Sequence, residues 1–153
     1  MSFIDYLVNR FKRKDWRLDI LKNAETEFLP VIRKYKFKKV SFKVLEFRHA
    51  EAIYESPNML LLLSLDGYSI DNVSVLIQNL GTNKKELEFC FIMQYFDSSI
   101  KIDSLSLKAE AEFLLKHYSS ISKELSEENV VNLMNVTKEL KEKWINNKYL
   151  TNT

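Results

Sequence analysis

Cysteine, glycine and proline are scarce in this 153-residue chain, which contains one Cys, two Gly and two Pro. The single cysteine, Cys90, cannot form a disulfide within the chain, and small secreted domains are more often rich in disulfides. The two glycines, Gly67 and Gly81, stand apart, whereas a loop that cradles phosphate needs several glycines before a helix. The sequence therefore indicates a reducing compartment and argues against a phosphate-binding loop.

Long hydrophobic runs are also absent. The most apolar stretch, Met59–Leu65, is far shorter than the roughly 20 residues that a membrane-spanning helix needs. Near the N-terminus the basic residues follow the apolar ones, which reverses the order found in a secretory signal peptide. Hydrophobic residues nevertheless make up 46% of the chain, enough to bury a core. We therefore expect a single cytoplasmic domain over residues 1–153, without a membrane span.

The overall charge of +2 conceals an uneven distribution along the chain. Residues 1–50 contain 13 Lys and Arg against 6 Asp and Glu, whereas residues 51–153 contain 10 against 15. The first part thus has a net charge of +7 and the second a net charge of −5. Because summed charge steers association and does not select a fold, this asymmetry points to a binding partner.

Helical patterns occupy both ends of the sequence. A short amphipathic helix is predicted from Phe3 to Phe11 and a second helix over residues 15–35, which Pro30 is expected to kink or divide because proline lacks an amide hydrogen. Ser106 and Ser126 are predicted N-caps of two C-terminal helices, since acidic residues and a helical apolar pattern follow each. The predicted apolar stripes are Ala109, Phe113, Leu114 and His117 or Tyr118 in the first of these two helices, and Val130, Leu133, Met134, Thr137, Leu140 and Trp144 in the second.

The intervening segments alternate in the manner of β-strands. Strands are predicted over residues 38–47, 52–55, 59–65, 73–77 and 87–96, and the alternation in the first of them is lost after Val44. Turn residues such as Asp66-Gly67 separate several of the strands, and short connections favour antiparallel pairing. The sequence therefore predicts an α+β fold in which an antiparallel meander of four to five strands packs against N-terminal and C-terminal helices.

Catalytic interpretations rest on few residues. His49-Ala50-Glu51 has the form of half a zinc deaminase signature, but the P-C-x-x-C half is missing from the sequence. His49 and His117 could act as general base and general acid in a small hydrolase or nuclease, although two histidines arise easily by chance. The apolar neighbours of Cys90 should raise its pKa and leave it unreactive. We therefore expect no enzymatic activity and no metal or cofactor.

Basic residues form the first of two candidate binding sets. Those of the N-terminal segment recur at three- and four-residue intervals, and a second group lies around the predicted junction between helix and strand. The set comprises Arg10, Arg13, Lys14, Arg17, Lys36, Lys38, Lys39 and Lys43. If the two groups converge they form an anion-binding patch, and a nucleic-acid-associated factor is the alternative function that this patch predicts.

A further pattern lies in the first half of the chain. Residues 28–37, Phe-Leu-Pro-Val-Ile-Arg-Lys-Tyr-Lys-Phe, lead into the predicted strand 38–47, and Tyr54-Glu55-Ser56 precedes the apolar strand 59–65. This arrangement resembles that of small bacterial proteins in which a helix ends in a phrase like F-L-x(n)-Y-G-F and leads into a meander with a Y-x-S step. Many of those proteins are suspected immunity proteins of toxin-immunity pairs. Lys36 stands where their phrase has glycine.

The resemblance implies a function without catalysis, in which a folded surface covers the active site of a toxin. Immunity proteins against nucleases are often acidic, and opposite charge accelerates the encounter of two proteins. The acidic residues expected to bind such a partner are Glu110, Glu112, Glu124, Glu127 and Glu128. The resemblance thus leads to the hypothesis of a bacterial, non-enzymatic immunity protein that inhibits its cognate toxin.

Overall fold

The computed structural model describes residues 16–44, 49–65 and 73–150. The elements in chain order are α1 (Trp16–Lys34), β1 (Lys38–Val44), β2 (Ala50–Glu55), β3 (Met59–Leu65), β4 (Val73–Asn79), β5 (Glu86–Glu88), α2 (Phe89–Phe96), a 3-10 turn (Ile102–Ser104), α3 (Leu107–Glu124) and α4 (Val130–Leu150). The predicted helix from Phe3 to Phe11, the Asp66-Gly67 turn and the end of the first predicted strand lie outside the described residues. The fold is α+β, as predicted.

The five strands form one antiparallel sheet in the order β1-β2-β3-β4-β5. In the centre of the sheet, Leu61 of β3 pairs with Tyr54 of β2 on one side and with Ile77 of β4 on the other. The register of β1 shifts between Lys39 and Ser41, which leaves Val40 exposed instead of aligned with the apolar positions predicted for this strand. The predicted meander is confirmed.

One face of the sheet is buried against helices. Leu61, Leu63 and Leu65 of β3 are fully buried on this face, together with Leu21 and Phe28 of α1. Helix α1 lies against β1 to β4, and α3 lies beside α1. Because side chains alternate between the two faces of a strand, one face of β3 supplies the centre of the hydrophobic core. No helix among the described residues has both the length and the apolarity to cross a bilayer.

The end of α1 adopts a Schellman motif. The amide of Phe37 donates to the carbonyl of Ile32 at 2.9 Å, and the amide of Lys36 donates to the carbonyl of Arg33 at 3.4 Å. Lys36 has a φ of 55°, in the left-handed region that glycine adopts most readily. Pro30 lies inside α1, which continues through it to Lys34. The helix predicted over residues 15–35 is thus one element, and Pro30 does not divide it.

The predicted strand over residues 87–96 is wrong. Only Glu86–Glu88 pairs with β4, and the chain then forms α2 over Phe89–Phe96. The run is apolar at both odd and even positions, so alternation could not distinguish a strand from a buried helix. Phe89, Ile92 and Met93 are buried at helical spacing, which is the signal that the strand interpretation overlooked.

The C-terminal helices begin and pack partly as predicted. Ser106 caps α3, because its hydroxyl accepts a hydrogen bond from the amide of Ala109 at 3.1 Å. The buried stripe of α3 contains Leu114 and Tyr118, as expected, but also Glu110, Ala111 and Ile121 instead of Ala109 and Phe113.

The start of α4 is later than predicted. The helix begins at Val130, so Glu127 and Glu128 lie in the turn before it and not in its first turn. Ser126 contributes its backbone carbonyl, which accepts from the amides of Asn129 and Val130. The stripe of α4 is otherwise close to the prediction, since Val130, Leu133 and Thr137 are buried.

Candidate functional site

A loop anchored by hydrogen bonds connects β4 to β5. Asn79, the last residue of β4, is fully buried, and its side-chain oxygen accepts from the amide of Lys85 at 2.6 Å. Its side-chain nitrogen donates to the carbonyl of Asn83 at 3.3 Å. One buried amide side chain at the start of the loop thus bonds two backbone groups near its end, which restrains the conformation of the loop.

This loop contacts the turn between α3 and α4. The amide of Thr82 donates to Oε1 of Glu127 at 3.4 Å. A Cβ atom added at Gly81 would lie 2.9 Å from the same oxygen and 3.2 Å from Nδ2 of Asn79. The absence of a side chain at Gly81 therefore permits the close approach of the two segments.

Exposed apolar and acidic side chains surround this contact. Leu80 is 36% exposed and precedes Gly81, while Val131 is 48% exposed in the first turn of α4. Glu127 and Glu128 are exposed in the turn itself. We name Leu80, Thr82, Glu127, Glu128 and Val131 the corner surface. Exposed apolar groups beside exposed carboxylates are a combination suited to recognition of a protein.

Glu124, near the end of α3, is a third carboxylate close in sequence to Glu127 and Glu128, and it contacts α2. Its carboxylate accepts a hydrogen bond from the hydroxyl of Tyr95 at 3.4 Å, and its side chain is half-buried. Partial burial, followed by the negative charge of Glu124, raises the pKa of Tyr95. Because the phenol remains protonated at neutral pH, Tyr95 acts as the donor that positions this carboxylate.

The structure separates the other two predicted acidic residues from the corner surface. Glu112 is exposed on α3, about 12 positions before Glu124, which is roughly 18 Å along the helix axis. Glu110 is only 8% exposed, and burial raises the pKa of its carboxyl to about 7. Glu124, Glu127 and Glu128 thus lie within five positions of one another, at the end of α3 and in the turn after it, whereas Glu110 lies in the interior, an environment that the helical pattern of the sequence did not reveal.

Two cations of the basic set form ion pairs in the part of the chain that the structure describes. Nζ of Lys39 lies 2.7 Å from a carboxylate oxygen of Glu25, and that of Lys43 lies 3.1 Å from Glu51. Arg17 lies half-buried near the start of α1 and has an interaction partner, whereas Lys36 and Lys38 are exposed. Arg10, Arg13 and Lys14 lie outside the described residues. Carboxylates therefore offset two of the predicted cations.

The residues considered for catalysis have structural contacts. The ring of His117 stacks on that of Phe113 with centroids 4.2 Å apart, and His49 is half-buried before β2. Cys90 lies in α2, where burial, and then the charges of Glu88 and Glu110, raise its pKa to about 12, as the apolar sequence around it predicted. Across residues 16–44, 49–65 and 73–150, no three His, Cys, Asp or Glu side chains are grouped to hold a metal ion.

The sequence did not lead us to predict the two apolar residues of the corner surface, Leu80 and Val131. Leu80 follows the last residue of β4, and Val131 lies beside the buried stripe of α4, so both are apolar residues on the surface. The nearest signal in the sequence was Asn79 and Gly81, two turn-forming residues that flank Leu80.

Comparison of the chain with protein-family models, curated proteins and solved structures finds no match.

Proposed function

We propose that this chain is a non-enzymatic protein-binding domain that acts as an immunity protein and inhibits a bacterial toxin by covering it. The observation that carries the proposal is the corner surface, where the loop after β4 packs on the turn before α4. The sequence resemblance described above supplies the class of partner. The left-handed backbone at Lys36, where the similar proteins have glycine, supports the structural part of that resemblance.

The carboxylates and the apolar side chains of the corner surface favour a partner whose binding surface is basic and also contains apolar groups. Glu127 and Glu128 are exposed beside the half-buried Glu124, so a basic surface on the partner would be attracted before contact. Leu80 and Val131 then supply apolar area that loses water on docking. Because Asn79 already holds the loop in one conformation, little ordering entropy opposes binding.

The first experiment compares three tagged forms of the chain in capture from a lysate of the native host. They are the unchanged chain, the double variant Glu127→Lys with Glu128→Lys, and the control Lys36→Glu with Lys38→Glu, which reverses exposed basic residues. Each capture is divided into nuclease-treated and untreated halves. Circular dichroism verifies that all three forms are folded.

We expect the unchanged chain and the control to retain one protein in a 1:1 ratio after nuclease treatment, and the acidic double variant to lose most of it. The captured protein, once purified, should lose its activity on addition of one equivalent of this chain. Equal capture by all three forms would contradict the role of the corner surface. Retention of nucleic acid, lost in the Lys36 and Lys38 variant, would instead support the nucleic-acid-associated alternative.

A further inference from the structure

A cavity of about 560 Å³ lies between β4, α2, α3 and α4. Its volume is within the range of sites that bind small molecules. One part of its wall is apolar and comes from β4 and from the segment around the start of α3, whereas polar side chains that include Ser74 and Ser106 line the rest. The apolar part comprises Val73, Val75, Ile102, Leu105 and Leu107. The cavity is distinct from the corner surface, because it shares no residue with it.

The charges at the rim of the cavity are already paired. Asp103 accepts a hydrogen bond from the indole nitrogen of Trp144 at 3.2 Å, and Nζ of Lys148 lies 3.9 Å from its other oxygen. Glu88 forms a salt bridge with Lys141 of α4. These side chains are partly to largely exposed, so the rim presents approximately balanced charge to the solvent.

Glu110 lines the inner part of the same cavity, and its carboxylate is not paired in the way that the carboxylates of Asp103 and Glu88 are. Its backbone amide continues α3, whereas its carboxylate forms no hydrogen bond or salt bridge with any residue that the structure describes. The residue is only 8% exposed. An ionised carboxylate in this environment is costly without a cation or donors, so a positive charge placed in the cavity would stabilise the ionised form of Glu110.

The other polar groups in the cavity favour a cation on an apolar body. The Cys90 thiol stays protonated at neutral pH because its pKa is raised to about 12, so it adds no second negative charge. Trp144 already attracts one cation, since Nζ of Lys148 lies 4.7 Å from the centre of its ring. One buried carboxylate beside apolar and aromatic walls matches a single ammonium group carried on a hydrophobic molecule.

We propose that this cavity binds a small organic amine, whose ammonium group pairs with Glu110 and whose apolar part contacts the wall between β4 and α3. This inference does not depend on the proposed protein-binding function. Glu88, Cys90, Asp103 and Lys148 face the cavity from the other elements, and Glu110 is the group whose ionisation changes near neutral pH. Binding of an amine should therefore strengthen as the pH rises from 6 to 8.

The test uses the purified full chain and two probes, tryptamine and its uncharged analogue tryptophol, in which a hydroxyl replaces the amine. Isothermal titration at pH 6 and pH 8 measures both dissociation constants. We expect tryptamine to bind about tenfold or more tightly than tryptophol at pH 8, and this ratio to decrease at pH 6. Glu110→Gln should abolish the difference between the probes.

Glu112→Gln is the matched control, since Glu112 is exposed on the same helix. It should retain the preference for tryptamine. Equal affinity of the two probes, absence of tryptamine binding at millimolar concentration, or an unchanged preference in Glu110→Gln would each overturn the proposal. Thermal unfolding of each variant verifies its fold, and Glu110→Gln is expected to be at least as stable as the unchanged chain because it removes a buried carboxylate.

Discussion

The hydroxyl of Tyr118 donates a hydrogen bond to Oγ of Ser56 at 2.8 Å. This bond joins α3 to the turn between β2 and β3, and both residues are buried. Ser56 in turn accepts from the amide of Met59 at 3.2 Å and donates to its carbonyl at 3.1 Å. The serine of the Tyr54-Glu55-Ser56 step thus holds a turn and anchors a helix.

Replacing Tyr118 with Phe should lower the free energy of unfolding by about 1 kcal/mol, because the buried bond to Ser56 is lost while the stacking of the ring on Tyr35 is retained. The same change removes the longer bond of 3.4 Å in which the Tyr118 hydroxyl accepts from the side-chain amide of Asn58. Urea denaturation measures the change. Tyr149→Phe is the control, since Tyr149 is largely exposed and should have little effect. Equal stability of the Tyr118 variant and the unchanged chain would show that the bond contributes nothing.

Replacing Lys36 with Gly should raise the free energy of unfolding by about 1 kcal/mol, because glycine adopts the left-handed conformation without steric strain. Lys38→Gly is the contrasting variant. Lys38 lies in β1, where glycine should destabilise the strand. Chemical denaturation of both variants measures the two effects, and a loss of stability at Lys36 would contradict the assignment of strain there.

The contribution of Glu110 to stability should depend on pH. Its folded pKa of about 7 lies above the ordinary value of 4.5, so the folded state binds the proton more tightly than the unfolded state. The free energy of unfolding is therefore highest, with respect to this group, below pH 4.5 and falls as the pH rises toward 7. The full decrease is about 3 kcal/mol.

Denaturation at pH 5 and pH 8 measures most of this decrease. In Glu110→Gln the contribution of this site should disappear, so its stability should fall less between the two pH values than that of the unchanged chain. Glu112→Gln should behave like the unchanged chain, because Glu112 is exposed on the same helix and does not line the cavity. An identical pH dependence in the two variants would disprove the burial of a titrating carboxyl at position 110.

The sequence allowed prediction of elements whose patterns had a single interpretation. Strand β3 was predicted with its observed bounds, because Met59–Leu65 is a short apolar run. Residues 87–96 contain apolar residues at both odd and even positions, so their period was ambiguous, and in the structure residues 89–96 form α2. Glu110 had the spacing of a solvated acidic residue on α3, and only the placement of that helix beside β4 and α2 buried it.

Asn79 should determine the order of the loop on which the corner surface depends. Replacing Asn79 with Ala removes both side-chain bonds to the loop and leaves the amide of Lys85 without this acceptor. We expect the free energy of unfolding to fall by about 2 kcal/mol and amide hydrogen exchange over residues 80–85 to accelerate.

Asn83→Ala is the matched control for Asn79→Ala. Asn79 binds the backbone carbonyl of Asn83, so loss of the exposed Asn83 side chain preserves that bond. Exchange over residues 80–85 should therefore remain slow in the control, and equal exchange in the two variants would contradict the anchoring role of Asn79. A mobile loop would also lose the fixed arrangement of Leu80 and Thr82 against Glu127. The Asn79 variant should therefore capture less partner than the control, although every residue of the corner surface is still present.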